Sequence, residues 1–159
     1  RLGYDTAWIA EHHFSTSYGI MPDCFAYMAY LAAKTSRIKL ATGIELVPER
    51  NPQVPAKEVS TLDLFSGGRF LFGIGAGWLR EETQIMGGDF DHRWTQTRES
   101  VLAMKELWTK DEAEYHGEFV EFEKSWSWPK PVQQPHPPII IGASPTGSKS
   151  VEPGRRRTA

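Results

Sequence analysis

The sequence holds a single cysteine, Cys24, among 159 residues. No intrachain disulfide can form, and a reducing cytoplasm is the default compartment. Cys24 follows Pro22-Asp23 and reads as a small helix residue rather than a nucleophile. No apolar run approaches the roughly 20 residues that cross a bilayer, and no signal peptide is visible. Neither sign of charge dominates: 18 Lys and Arg against 20 Asp and Glu leave a formal net charge of -2. That balance argues against nucleic acid or a membrane surface as partner. Internal repeats are absent, and no His, Cys and Asp cluster completes a metal site. What remains has the length of one domain with a sizeable core.

What is present alternates between strand and helix. Thr6 to Ala10 reads as a short buried strand. Asp23 is a plausible helix cap, with Cys24, Met28, Leu31 and Thr35 following at helical spacing. Ile38 to Ile44 is the next strand. Asn51-Pro52 starts a helix whose inner face is Ala56, Val59, Leu62 and Phe65, and Gly67-Gly68 stops it. Phe70 to Ile74 is a third strand, followed by a polar connection through Gly87-Gly88. Trp94, Val101, Met104 and Trp108 then trace one face of a long helix, about 94 to 108. Glu114 to Glu123 reads as a small hairpin, and Pro129 to Pro138 as a stiff extended linker. Ile139-Ile140-Ile141 is a fourth buried strand. The early strands begin about thirty residues apart, as βαβ units require. A doubly wound sheet and a (β/α)8 barrel both fit.

Two blocks carry candidate chemistry. The first is Gly73-Ile74-Gly75-Ala76-Gly77-Trp78. A strand without polar alternation is buried on both faces, as in a parallel sheet. Ligands of α/β proteins sit where such strands end, and backbone stripped of side chains there can approach a phosphate or a flat ring. A tight strand-to-helix turn is the other reading of the same glycines. The second block, Glu11-His12-His13-Phe14, follows the first strand and therefore shares that rim if the sheet is parallel. Histidine can give or accept a proton near neutral pH, and Glu11 could orient one imidazole. Adjacent histidines on an extended backbone point apart, so at most one enters a site. Loop histidines with structural hydrogen bonds are the alternative.

Together these elements resemble the bacterial luciferase-like monooxygenase family. The resemblance is carried by Gly3-Tyr4-Asp5 with Trp8, Glu11-His12-His13-Phe14, Ile38 with Thr42-Gly43, and Pro48 with Asn51-Pro52. It continues through Leu62-Asp63, Ser66 to Phe70, Gly73 to Trp78, Pro129-Lys130-Pro131 and Pro137-Pro138-Ile139, covering about residues 2 to 145. Gly75 to Glu82 and Pro-Lys-Pro look most like the branch using the deazaflavin coenzyme F420, whereas Glu-His-His-Phe also looks like the flavin-using luciferase subunit.

The resemblance implies an α/β fold, a (β/α)8 TIM-type barrel with reduced FMN or coenzyme F420 at its C-terminal rim. It implies His12 as the catalytic histidine, stabilising or protonating an oxygen adduct or the anionic reduced ring, with His13 secondary. Gly75, Ala76 and Gly77 become cofactor-side backbone, and Gly142, Ala143 and Ser144 lie toward the phosphate. A bulge, often with a non-proline cis peptide behind the ring, maps near Ile44-Glu45. The implied partners are a small-molecule substrate, molecular oxygen in oxygenating members, and further copies of the chain in a homo-oligomer.

Three departures qualify this picture. Glu45 stands where many relatives carry an apolar or small residue, and either points to solvent or meets the substrate. Trp78 occupies a place where some deazaflavin sugar-phosphate dehydrogenases have a catalytic acid. Tryptophan suits a stacking surface or a core plug instead. After Pro145 the alanine-rich helix of relatives gives way to a polar tail with Arg155-Arg156-Arg157. The expected division is therefore a partial barrel domain over 1–145, incomplete at both ends, and a solvated tail over 146–159, as in a fragment of a longer chain. A catalytically silent half-barrel acting through association is the rival reading. A doubly wound nucleotide-binding domain fits less well, because Gly73 to Gly77 breaks the spacing that fold needs.

Overall fold

The computed structural model describes residues 2–17, 20, 21 and 23–143. Strand β1 (Thr6–Ile9) leads to helix α1 (Cys24–Lys34), strands β2 (Lys39–Thr42) and β3 (Glu45–Leu46), and a 3-10 turn over Val47–Glu49. Helix α2 (Gln53–Ser66), strand β4 (Phe70–Gly75) and helices α3 (Arg80–Ile85) and α4 (Arg93–Thr109) follow. An antiparallel hairpin, β5 (Ala113–His116) with β6 (Glu121–Ser125), precedes the last strand, β7 (Ile139–Ile141).

Local chemistry explains the boundaries. Asp23 Oδ1 accepts from the Ala26 amide at 2.8 Å and caps α1. Asn51 Oδ1 accepts from Gln53 N at 3.0 Å at the start of α2. Gly67, at φ +63°, ends α2 in the left-handed conformation that glycine adopts without steric cost, and Gly68 N returns to Asp63 O at 2.9 Å. The guanidinium of Arg69 then donates to Ala32 O, Thr35 O and Ile38 O at 2.7–3.1 Å. That contact ties the end of α1 to the entry of β4.

The parallel sheet runs β1, β2 with β3, β4, β7. Each strand lies beside its predecessor. α1 packs on α2, and α2 on α4, so the three helices cover one face. A doubly wound sheet would place helices on both faces; this arrangement is an arc of a (β/α)8 barrel. Phe70, Phe72 and Ile74 of β4 face the helices and are buried with Phe25, Met28, Val59 and Leu62. Leu71, Gly73 and Gly75 alternate onto the opposite face. There the indole of Trp8 lies across Gly43 and Gly73, where an added Cβ would come within 3.3 and 3.2 Å of it.

Several expectations change. The strand over Ile38 to Ile44 is interrupted. Register slips by one residue between Leu40 with Phe70 and Glu45 with Ile74, so the chain bulges between β2 and β3. The cis peptide sits at Gly43-Ile44, one bond before the place the resemblance suggested. α3 replaces part of the expected polar connection. β1 is not wholly buried, since Trp8 is half exposed. Phe65 and Trp94 are exposed rather than inward, because Leu62 and Ser66, and Thr97 and Met104, take the inner positions. The proline-rich linker is fastened by Gln133, whose N and Nε2 donate to the Asp63 carboxylate at 2.8 and 2.7 Å. Ser144 and the tail lie outside the described residues.

Candidate active site

Parallel strands place the exits of β1, β3, β4 and β7 on one rim. His12 and His13 follow β1, Gly75 ends β4, and Gly142 and Ala143 follow β7. Gly142 N donates to Ile74 O at 2.8 Å. Gly77 has φ +78°, a region costly for other residues, so the turn beyond β4 requires glycine.

At this rim the His12 Nδ1 lies 3.0 Å from Glu82 Oε2, and the His13 backbone amide donates to Glu82 Oε1. Against an ionised carboxylate, which only accepts, Nδ1 is the donor of this bond. The Glu82 side chain is buried, and that of His12 is 19% exposed. Trp78 stands edge-on to the imidazole, ring centroids 5.8 Å apart. Half exposed, it is a rim aromatic and no core plug. His13 turns away, its Nε2 3.2 Å from Glu11 Oε1, so the expected divergence of the two histidines holds. Glu11 thus serves His13, and His12 is oriented by Glu82.

Ile44 forms the floor. A Cβ at Gly75 would overlap Ile44 Cδ1, and one at Gly142 would lie 2.9 Å from Ile44 Cγ2. The missing side chains at Gly75 and Gly142 therefore make room for Ile44 in the first instance. An apolar side chain pressed onto bare strand ends, beside an imidazole and an indole, suits one face of a planar heterocycle.

Glu45 neither points to solvent nor reaches the rim. Fully buried, it lies with Oε1 2.8 Å from Arg50 Nε and accepts from Cys24 Sγ at 3.4 Å through Oε2. Arg50 also pairs with Glu11, and with Glu58 and Asp23 at 3.4 and 3.5 Å. Glu11 Oε2 accepts from Leu46 N at 3.2 Å. Burial and repulsion from Glu11 push Glu45 well above the usual carboxylate range. Burial opposes the Glu11 charge too, but its hydrogen bond with Glu45 and the Arg50 guanidinium outweigh that and hold Glu11 low. The pair shares one proton under a single guanidinium. Burial also pushes the Cys24 thiol up, which leaves it a poor nucleophile.

A second carboxyl stands behind Glu82. Glu49 Oε1 accepts from Thr83 Oγ1 at 3.1 Å. Its burial and the nearby Glu82 charge raise it to about 7.

Sequence reasoning singled out His12 but missed Glu82, Glu49 and Arg50 as partners of the block. The acidic pair Glu81-Glu82 just beyond the glycine run was the available signal, since acids gather in first helical turns. Arg50 and Glu49 carried none, because their contacts span 39 and 34 residues of sequence.

A parallel arc with a histidine and bare backbone on its C-terminal rim defines part of a (β/α)8 barrel with a candidate ligand site at that rim. The luciferase-like monooxygenase family profile matches residues 1–151, and the chain belongs to that family. A protein of Mycobacterium tuberculosis described only as uncharacterized is 41% identical over 91% of the chain and 57% of its own length. The oxygenase component of a flavin-dependent trigonelline monooxygenase of Acinetobacter baylyi is 38% identical, over 90% of the chain and 40% of that protein. An F420-dependent glucose-6-phosphate dehydrogenase of Amycolatopsis mediterranei is 30% identical, over 93% and 46%. The crystal structure of monooxygenase RslO1 from Streptomyces bottropensis superposes with a TM-score of 0.83 at 30% identity, covering 87% of the chain and 42% of that one. The chain thus spans about half the length of the relatives it matches.

Proposed function

We propose that this chain supplies the histidine-bearing half of a barrel oxidoreductase that works with reduced FMN or coenzyme F420 on a small-molecule substrate. The observation that carries the reading is the convergence of His12, oriented by buried Glu82, with Trp78 and the Ile44-covered glycines on one rim. Relatives of both cofactor types support either choice. When bound, the reduced cofactor supplies a hydride, or the electrons that activate oxygen. Ile44 and the backbone of Gly75, Ala76 and Gly77 would bed the ring, and Gly142 and Ala143 would lie toward its phosphate side. Ser144, outside the described residues, belongs to the same proposal. His12 would hold or deliver a proton at Nε2 while Glu82 fixes its tautomer, work to which an imidazole is suited near neutral pH. Trp78 would shield that proton from water. With tryptophan at this place, sugar-phosphate dehydrogenase chemistry is not part of the proposal.

Titration of the purified chain with reduced FMN and with F420, followed by absorbance and fluorescence, tests it. Micromolar binding that His12→Ala and Trp78→Ala weaken is expected, and no binding of either cofactor would overturn it. A second reading, association without catalysis, is favoured by the half-exposed Trp8 on β1 and the exposed Ile141 on β7. Those outer strands pair on one side only among the described residues, and open edges invite pairing.

A further inference from the structure

Glu82, which orients the imidazole, has a second buried carboxyl, Glu49, within electrostatic reach. Glu82 and Glu49 are 3% and 6% exposed. They come from different elements, α3 and the 3-10 turn after β3. Thr83, the neighbour of Glu82, clamps the two elements together by donating to Glu49 Oε1 at 3.1 Å. The chain just beyond that helix is pressed onto the turn at Gly88, where a Cβ would lie 2.6 Å from Pro48 O. Glu49 Oε2 is buried without a hydrogen-bond partner among the described residues. The charged groups acting on Glu49 are Glu82 from α3, Glu11 from the β1 exit and Arg50 from its own segment. Arg50 already serves Glu11, Glu45, Glu58 and Asp23. A buried oxygen with no donor, next to a second carboxylate, is the setting in which a carboxyl keeps its proton.

We infer that Glu49 is a positioning residue that holds a proton against Glu82 and so sets how firmly Glu82 engages the ring of His12. With Glu49 protonated, no charge on it competes with Glu82, whose hydrogen bond to Nδ1 is undisturbed. Ionisation of Glu49 adds a like charge within electrostatic reach of Glu82 in a buried layer and loosens α3 from the turn. A cavity of about 280 Å³ lined by Glu49, Met86, Gly87, Gln96 and Ser100 opens beside Glu49. It gives the proton a route to solvent that bypasses His12. The burial and the Glu82 charge that raise Glu49 to about 7 put this change in the neutral range.

The inference rests on the reading of His12 as the working group, but its test needs no cofactor. Carboxyl carbon signals of Glu49 and Glu82 and ring nitrogen signals of His12 would be followed by NMR between pH 4 and 9. The Glu49 carbon is expected to titrate near pH 7, and Glu82 and His12 should each show an inflection at that same pH. Glu49→Gln should delete that inflection at both, with the His12 Nδ1 hydrogen bond kept. Glu82→Gln should move the Glu49 midpoint down toward the ordinary carboxyl range. Should Glu49→Gln fail to fold, the Glu82→Gln titration decides alone. A Glu49 carbon titrating near pH 4.5 in the unmodified chain, or Glu82 and His12 signals indifferent to Glu49→Gln, would overturn the inference. Loss of cofactor binding with these titrations intact would overturn the functional reading instead.

Discussion

His12 and Glu82 are seventy residues apart in the chain and 3.0 Å apart in space, Nδ1 to Oε2. Glu82 also accepts from the His13 amide, so one buried carboxylate fixes both the ring and the backbone that carries it. Glu82→Ala leaves that amide short of an acceptor and removes the ring's bond at Nδ1. The expected cost is about 1–3 kcal/mol in urea unfolding, the price of an unmet buried donor, together with loss of the slowly exchanging Nδ1 proton of His12. Glu82→Gln retains an acceptor for the amide and should recover most of the stability without restoring the ring's charge-assisted bond. Equal behaviour of Ala and Gln in both measurements would contradict the assignment.

Arg50 is the one cation facing Glu11 and Glu45 among their described contacts. Arg50→Met strips it from a buried pair that shares a single proton. Removing one partner of a buried ion pair costs about 3–5 kcal/mol, so this substitution should be among the most damaging in the chain. A double substitution that adds Glu11→Gln removes the stranded charge and should regain part of the loss. Urea midpoints of the single and double variants check the order.

How far the sequence revealed the site depended on how local each cause was. The glycines of Ser66 to Gly77 were visible as one block, yet they do two jobs. Gly67 and Gly68 end α2, and Arg69 ties α1 to β4 at the strand entry. Gly75 and Gly77 shape the far rim. Helix caps at Asp23 and Asn51 were legible because their contacts lie within three residues. The short α3 was not, since six residues give too few turns for a periodic signal. Glu45 was misread because an acid after a strand suggests solvent, and only the fold brings Arg50 and Cys24 beside it. Phe65 and Trp94 were placed inward by helical spacing alone, but the sheet covers only part of each helix.

Gly75 was expected to be bare so that a cofactor could approach, and the structure offers a protein reason as well. A methyl group there meets Ile44 Cδ1 before it meets any ligand. Gly75→Ala should therefore destabilise the chain by about 1–3 kcal/mol through overpacking. Ile44→Ala in the same chain should relieve part of that loss, a non-additivity that only residues in contact show. If the two substitutions instead add without interaction in urea unfolding, Ile44 is not the floor described above. Cofactor titration of the double variant then separates the two reasons for the glycine: stability regained without binding means that the ring also needs the bare backbone.

Glu49 gives the chain a pH dependence of defined sign. Its carboxyl is raised from 4.5 to about 7 by burial first and by Glu82 second. The folded state therefore binds a proton that the unfolded chain has already released over that interval. Stability from this group is fully present below pH 4.5 and declines as pH rises through 7. At about 1.4 kcal/mol per unit, the whole effect is on the order of 3 kcal/mol. Glu11 works in the opposite direction: held low by Glu45 and Arg50, it contributes stability above the usual carboxylate range that is lost as pH falls. Comparing the chain with its Glu49→Gln variant cancels Glu11 and isolates Glu49, because the amide cannot ionise. Urea midpoints of the two should differ least near pH 4.5 and diverge toward pH 8, with the variant gaining. A difference that stays flat across this range would show that Glu49 ionises at the same pH in both states, and that Glu82 places no burden on it.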